Sequence, residues 1–293
     1  METAINRLTL RNKLRTYKKH PVSLIMFLLT VLAALVTVLV FVALIGYILI
    51  KGIPHLSPRL FEWEYNTENV SMMPAIINTL TVTGLSLLIA VPFGVFSAIY
   101  LVDYAKRGNQ LVSLIRLTTE TLAGIPSIVY GLFGYLMFNV TLRMGYSLLS
   151  GALTLAIMVL PTIMRTTEEA LLAVPDSYRE GSFGLGAGRL RTVFRIVLPS
   201  AMPGIMSGII LAIGRIVGET AALIYTAGTV TGVATDLFTS GCTLSVHLYV
   251  LLSEGFYTNE AYATAVILLI LVVMINALST LVTQKAASKG GTT

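Results

Sequence analysis

Residues 175–199 read PDSYREGSFGLGAGRLRTVFRIVLP, a polar and glycine-rich stretch between two long apolar runs. Ser177 and Glu180 have the S-x-x-E spacing of a capping box. This spacing predicts a short helix that begins just after Pro175 and exposes a carboxylate in its first turn. We therefore expect the 175–199 segment to open with a polar helix that is separate from both apolar runs.

The second half of the segment predicts a turn and another helix. Three glycines at alternate positions, centred on Gly186, favour a tight bend. An arginine-rich helix would follow from Arg189 and end near Pro199, because a proline is tolerated in the first turn of the next helix but not inside one. The whole segment is thus predicted to be a helix-turn-helix on the membrane face.

The composition of the chain is that of an integral membrane protein. Of its 293 residues 55% are hydrophobic and only 12% are charged, too few to coat a soluble globule. Six uncharged runs each contain the ~20 residues that cross a bilayer core as a helix. These runs are 21–50, 69–102, 121–142, 144–164, 196–214 and 261–284. The fifth is expected to continue toward Ala227, and Pro92, Pro126 and Pro161 to lie inside spans, where neighbouring helices can satisfy freed carbonyls.

The basic residues indicate the orientation of these spans. Fifteen of the twenty Lys and Arg residues lie on one side, in the two tails and in the loops after the second and fourth spans. Only Lys51, Arg59 and Arg143 lie on the other. The positive-inside rule therefore predicts that both termini and the 175–199 segment are cytoplasmic. No aromatic-interleaved basic face is present, so a nucleic acid partner is not expected.

Charged residues inside the spans form two groups. Arg165 precedes Glu168 and Glu169 on one face of the fourth span, and Arg215 and Glu219 are spaced as an i,i+4 pair in the fifth. Such residues are costly in a membrane and usually line a pathway or a bundle interior. A guanidinium binds an oxyanion with two hydrogen bonds, which favours an anion pathway. The alternative is that Arg165–Glu168 and Arg215–Glu219 are structural ion pairs that only hold the helices in register, and the sequence leaves both interpretations open.

The spacing in the 175–199 segment resembles the E-A-A-x3-G-x9-I-x-L-P loop of ABC-importer permeases, which fits a cleft in the nucleotide-binding subunit. The matching positions are Glu180, Gly186, Ile196, Leu198 and Pro199. Gly181 and Ser182 stand where the family usually has alanines. Both are small enough for close packing, although Gly181 weakens the helix by about 1 kcal/mol relative to Ala.

Two further motifs flank this segment. Residues 161–168 read PTIMRTTE and residues 214–221 read GRIVGETA. Together with the loop, and over roughly residues 72–283, they resemble the PstA-type permease subunit of bacterial phosphate ABC importers. The resemblance implies substrate-pathway positions and ATPase-coupling positions. The pathway positions are Arg165, Glu168, Arg215 and Glu219, and the coupling positions are Glu180, Gly186, Leu198 and Pro199.

The resemblance also implies an assembly and a location. The chain would be an all-α, six-helix transporter subunit of the bacterial inner membrane, without enzymatic activity or a cofactor of its own. Its partners would be a second homologous permease subunit, two copies of a cytoplasmic ATPase that bind ATP and Mg²⁺, and an extracytoplasmic phosphate-binding protein. The expected regions are a basic cytoplasmic tail 1–20, a first span 21–50, an external loop 51–71, a permease core 72–283 and a tail 284–293.

Other functions are weighed against this one. An intramembrane hydrolase would need an activated nucleophile, but the three histidines lie in tails or loops and no G-x-S-x-G motif exists. A passive anion channel would have no use for the 175–199 segment. Sulfate, molybdate or phosphonate as cargo stays open, because arginines bind any oxyanion. The external loop 228–260 is expected to contact the binding protein, and Cys242 to serve as a small apolar residue.

Overall fold

The computed structural model describes residues 21–106 and 108–290, and side-chain contacts as far as Leu281. The predicted basic tail 1–20 lies outside the described residues, as do Arg107 and residues 291–293. In the described part every regular element is helical. The chain divides after Lys51 into two compact units, which are described separately.

The first unit holds a single described helix, α1, which spans Pro21–Gly52. Its residues 22–50 carry no charge. At a rise of 1.5 Å per residue, 32 helical residues extend about 48 Å, which exceeds a hydrocarbon core of about 30 Å. The first predicted span is therefore long enough and apolar enough to cross a membrane.

The second unit contains four further long apolar helical stretches, a bent pair and several short helices. The helices are α2 (Met73–Ile99), α3 (Gln110–Ala123), α4 (Ser127–Gly134), α5 (Leu148–Leu172), α6 (Asp176–Gly184), α7 (Arg189–Thr192), α8 (Leu198–Val217), α9 (Ala221–Thr226), α10 (Leu244–Glu254) and α11 (Thr258–Gly290). Wider π turns extend α2 through Tyr104 and α4 through Thr141, and another joins α7 to α8. The final helix α11 continues through seven residues of the predicted C-terminal tail, 284–290.

Helix α5 is the centre of this unit. About two-thirds of its most apolar window is buried, against one-third for α2 with its π turn. It packs against α2 and α8. Small residues make these contacts close: a Cβ at Gly208 would overlap the Thr166 hydroxyl, and one at Gly94 would press on Ile163. The two spans that carry Arg165 and Arg215 are therefore direct neighbours.

The third predicted span, 121–142, is not a continuous helix. Helix α3 ends at Ala123 and α4 begins at Ser127, and the two meet at 104°. The prediction that Pro126 lies inside a helix was wrong: its ψ of 141° is extended, and it opens α4. Proline disfavours helical geometry in the residue before it, and Gly124 precedes that. Among the described residues, five helices are thus long and apolar enough to cross a membrane, or six if the bent pair is one span.

The helix boundaries around the fifth span also differ from the prediction. The arginine-rich helix does not end near Pro199, because α7, the π turn and α8 form one helical stretch from Arg189 to Val217. In the π turn the Leu198 N–H donates to the Val193 carbonyl. This bond joins residues five positions apart, whereas an α-helix joins residues four positions apart. The wider turn lies just before Pro199, which has no N–H to donate.

The predicted external loop 228–260 contains a helix. Helix α10 covers Leu244–Glu254, and His247, which was assigned to a loop, lies inside it and is buried. Eleven residues extend only about 17 Å, so hydropathy alone gives no span here. Residues 228–243 before it fold back on the unit, and the Cys242 N–H donates to the Val230 carbonyl at 2.8 Å.

Candidate functional site

The 175–199 segment begins as predicted, but its cap differs. Helix α6 starts directly after Pro175, which occupies the N-cap position. No side chain caps it, so the capping box of Ser177 and Glu180 was wrong. The acidic residue of the first turn is Asp176, and Glu180 lies exposed in the second turn. Proline removes one backbone donor and pre-sets the backbone, so a side-chain cap is not required.

The turn after α6 depends on Gly186. Its φ of +81° lies in the left-handed region that glycine adopts without strain. The Gly186 N–H donates to the Phe183 carbonyl at 2.9 Å, and the Ala187 N–H donates to the Ser182 carbonyl at 3.1 Å. These two bonds form a Schellman motif, which closes the end of a helix. The predicted glycine bend is therefore at Gly186.

The two helices of the segment are held together from inside and present apolar side chains outside. The hydroxyls of Ser182 and Thr192 are buried and 2.8 Å apart. Leu185 is 91% exposed and Leu190 is 68% exposed, and Phe183 is also exposed. Exposed apolar side chains clustered on a protein surface mark interaction sites. The segment is thus a rigid hairpin whose tip is apolar.

The first group of charged residues lies in a groove between α3 and α5. Arg165 Nε donates to Glu169 Oε1 at 3.0 Å, and both side chains are more than half exposed. Glu168 does not pair with Arg165; its carboxylate lies 2.6 Å from Arg116 Nη2 on α3. Glu168 and Glu169 lie three and four residues after Arg165, so either could reach its guanidinium. Glu169 makes that contact, and Glu168 faces α3. Both carboxylates of α5 therefore hold an arginine, and Glu120 of α3 adds a further negative charge near Arg165.

The predicted pair of Arg215 and Glu219 does not form. Helix α8 ends at Val217, and Thr220 has a non-helical φ of −121°, so the i,i+4 geometry is lost. Glu219 is 8% exposed, and its Oε1 accepts a hydrogen bond from the Ala222 N–H at 3.0 Å at the start of α9. Within the described residues Arg215 makes no ion pair. Tyr130 of α4 lies near its guanidinium.

The two arginines lie at different depths. Thr166 packs at Gly208, which places Arg165 near that turn of α8. Arg215 is seven residues further along α8, or about 10 Å at 1.5 Å per residue. The arrangement is therefore two separate cationic positions along neighbouring helices. Across residues 21–106 and 108–290 no three His, Cys, Asp or Glu side chains are grouped as a metal site.

Two polar residues with clear roles were missed from the sequence. Arg116 was counted only for topology, although it binds Glu168. Asn78 is buried in α2, where its amide donates to the carbonyls of Gly232 and Cys242, both at 3.1 Å. An uncharged polar residue inside an apolar run was the available signal for Asn78, because a buried amide needs partners. It fixes the 228–243 stretch to the N-terminal end of α2.

Known proteins similar to this chain are transporter subunits. A probable ABC transporter permease of Bacillus subtilis is 37% identical over 68% of each chain. A phosphate transport system permease protein PstA of Mycobacterium leprae is 32% identical over 88% of this chain and 86% of that one. The PstA protein of Pasteurella multocida is 34% identical over 77% of this chain and 81% of its own.

Solved structures share the fold. A bacterial ABC transporter involved in import of the acidic polysaccharide alginate superposes with a TM-score of 0.64 at 17% identity, covering 92% of this chain and 98% of that chain. An inward-facing MetNI methionine ABC transporter gives a TM-score of 0.58 at 19% identity, covering 73% and 94%. Residues 90–288, which include the 175–199 segment and both arginines, match one family over more than half of the chain. The chain is a multi-pass membrane protein that belongs to the family of binding-protein-dependent transport system inner membrane components.

Proposed function

We propose that this chain is the membrane-spanning permease subunit of an ATP-driven importer of inorganic phosphate. The observation that carries the proposal is the run of PstA phosphate permeases at 32–37% identity over most of the chain. Two arginines along neighbouring helices, Arg165 exposed and Arg215 partly buried, suit a multiply charged oxyanion.

Members of this family work with an ATPase and a binding protein. For this chain we propose two copies of a cytoplasmic ATPase, which bind ATP and Mg²⁺, and a second homologous permease that completes the pathway. The phosphate-binding protein would dock on the external side, where residues 228–260 are one candidate surface. The ATPase would dock on the 175–199 segment through Glu180, the Gly186 turn, Leu198 and Pro199.

The proposed pathway uses the arginines at their two depths. Arg165 is neutralised by Glu169 when no anion is present, and Glu168 is held by Arg116. Arg215 has no carboxylate partner in the described residues, so it is the more available cation for a passing anion. Glu219 contributes by fixing the turn after α8. Phosphate would pass from Arg215 to Arg165 on its way to the cytoplasm.

The cargo is tested with the assembled transporter in lipid vesicles. We expect ATP-dependent uptake of labelled phosphate when the external binding protein and ATP are both present. Labelled sulfate and molybdate, offered with the same protein, should not accumulate. Accumulation of either of these in preference to phosphate would assign a different oxyanion to the importer. A vesicle without ATP is the control for passive flux.

Thiol labelling tests the proposed orientation. Burial raises the pKa of the Cys242 thiol to about 12, so the native chain should resist a maleimide at pH 7. Single cysteines in place of Ser57 and Thr235 should react in intact cells. One in place of Ser177, which is exposed on α6, should react only after permeabilisation. Labelling of the Ser177 position in intact cells would reverse the assignment of sides.

A further inference from the structure

One arginine joins the 175–199 segment to the ends of two spans. Arg179 of α6 donates from Nε to Asp103 Oδ1, at 3.1 Å, in the π turn that ends α2. Its Nη2 donates to the Leu171 carbonyl at 3.0 Å, and its Nη1 donates to the Val174 carbonyl at 3.1 Å. These two carbonyls lie at and just beyond the end of α5. The guanidinium of Arg179 therefore connects α6 to the ends of α2 and α5.

This contact is largely shielded from water. The side chains of Arg179 and Asp103 are 15% and 7% exposed. The second oxygen of Asp103, Oδ2, is buried and has no hydrogen-bond partner within the described residues. Removing either partner would leave a charge without compensation in a poorly hydrated place, which is far more costly than breaking a surface pair. The pair is thus a fixed connection and not a surface contact.

The surroundings add to the same connection. The Arg189 guanidinium lies 5.7 Å from the ring centre of Tyr104, the residue after Asp103. Asp176 contacts the Arg179 guanidinium at 3.4 Å from an exposed position, so it contributes little. A guanidinium fixes its donors in one plane, and the acceptors here lie on separate elements. A displacement of α6 must therefore move the ends of α2 and α5, or break these bonds.

We propose that the cluster of Arg179, Asp103 and the Leu171 and Val174 carbonyls transmits motion of the 175–199 segment to α2 and α5. This rests on the proposed function, in that an ATPase moves the segment. Arg179 is a positioning residue in this proposal, since it acts through the helices and not on the cargo. Without it, the ATPase would still dock and hydrolyse ATP, but α2 would respond less.

Hydrogen exchange of the assembled transporter tests the proposal without reference to the cargo. In the native complex, ATP binding should change amide exchange both in residues 176–184 and in residues 98–104. In Arg179→Gln and in Asp103→Asn the change in 176–184 should persist and the change in 98–104 should be lost. Transport per ATP hydrolysed should fall at least about fivefold, as expected for loss of coupling between two sites. Arg179→Lys should recover only part, because one ammonium cannot reach all three acceptors.

Lys106→Gln is the matched control, because Lys106 is an exposed cation only three residues after Asp103 in the sequence. It should behave as the native protein in both measurements.

Asp103→Asn leaves the two carbonyl contacts of Arg179 intact, so it carries the test if Arg179→Gln fails to assemble. An unchanged exchange response in 98–104 in both variants would overturn the proposal. So would a loss of assembled complex with normal transport per ATP, which indicates a structural role alone. Failure of the native complex to take up phosphate would instead contradict the cargo, and the exchange result would still stand.

Discussion

Replacement of Arg215 by Gln should reduce phosphate uptake by about 10- to 100-fold in fully assembled transporter, the loss expected from ~1.5–3 kcal/mol of charge-assisted hydrogen bonding. The physical reason is its environment: Arg215 is partly buried and makes no ion pair in the described residues. Arg215→Lys should recover part of the activity, since it keeps the charge and loses the bidentate geometry. Uptake of labelled phosphate, normalised to assembled complex, is the measurement.

Glu219 provides the control for this prediction. Glu219→Gln keeps an oxygen that can accept the Ala222 N–H, so the start of α9 should remain formed. Because Arg215 and Glu219 are not partners, the double change Arg215→Gln with Glu219→Gln should transport as poorly as Arg215→Gln alone. Recovery in the double variant would mean that the two residues pair during transport. Arg215 would then lose its assignment to the anion.

The spans could be predicted from composition because a lipid environment requires long apolar helices. Charge-free runs and the positions of Pro92 and Pro161 inside helices were read correctly for this reason. The bend between α3 and α4 was missed, although Gly124 and Pro126 are residues that favour a break in a helix. A hydropathy window averages over such a break, whereas the local preference of the residue before a proline does not.

The charged contacts were predicted less well, because periodicity within one helix decides only which residues share a face. Arg165 pairs with a carboxylate of its own helix, but the expected partner was Glu168 and the observed one is Glu169. The choice of Glu169 over Glu168 depends on Arg116, which arrives from another helix. The pair of Arg215 and Glu219 required α8 to continue, and the chain leaves the helix at Gly218. Contacts between elements therefore required the structure.

The same distinction applies to the 175–199 segment. The start of its first helix after Pro175 and the bend at Gly186 were both predicted, although the predicted start rested on a capping box that does not form. Its attachment through Arg179 to Asp103 joins residues 76 positions apart in sequence. No spacing rule within the segment indicates that contact. The part of the segment that we propose faces a partner was thus more predictable than the part that connects it to the spans.

Replacement of Gly186 by Val should abolish uptake while the chain stays inserted in the membrane. A β-branched residue at a φ of +81° is strained by at least about 1–2 kcal/mol, so the turn would reorganise. That cost is small beside a typical stability of about 5–15 kcal/mol, so the fold should survive. The change would instead move the apolar tip at Leu185 away from the docked ATPase. Co-purification of the ATPase and uptake of phosphate are the measurements.

Gly181→Ala is the matched comparison. It also adds a Cβ to a glycine of the 175–199 segment, but at a position with ordinary helical geometry. Nothing lies within 4 Å of a Cβ at Gly181, and alanine should strengthen α6 by about 1 kcal/mol. Uptake should therefore be retained. Glu180→Lys, which reverses an exposed charge on α6, should lose ATPase association without affecting the turn. If Gly186→Val and Glu180→Lys both bind the ATPase and transport normally, the 175–199 segment is not the docking surface, and the ATPase must contact the chain elsewhere.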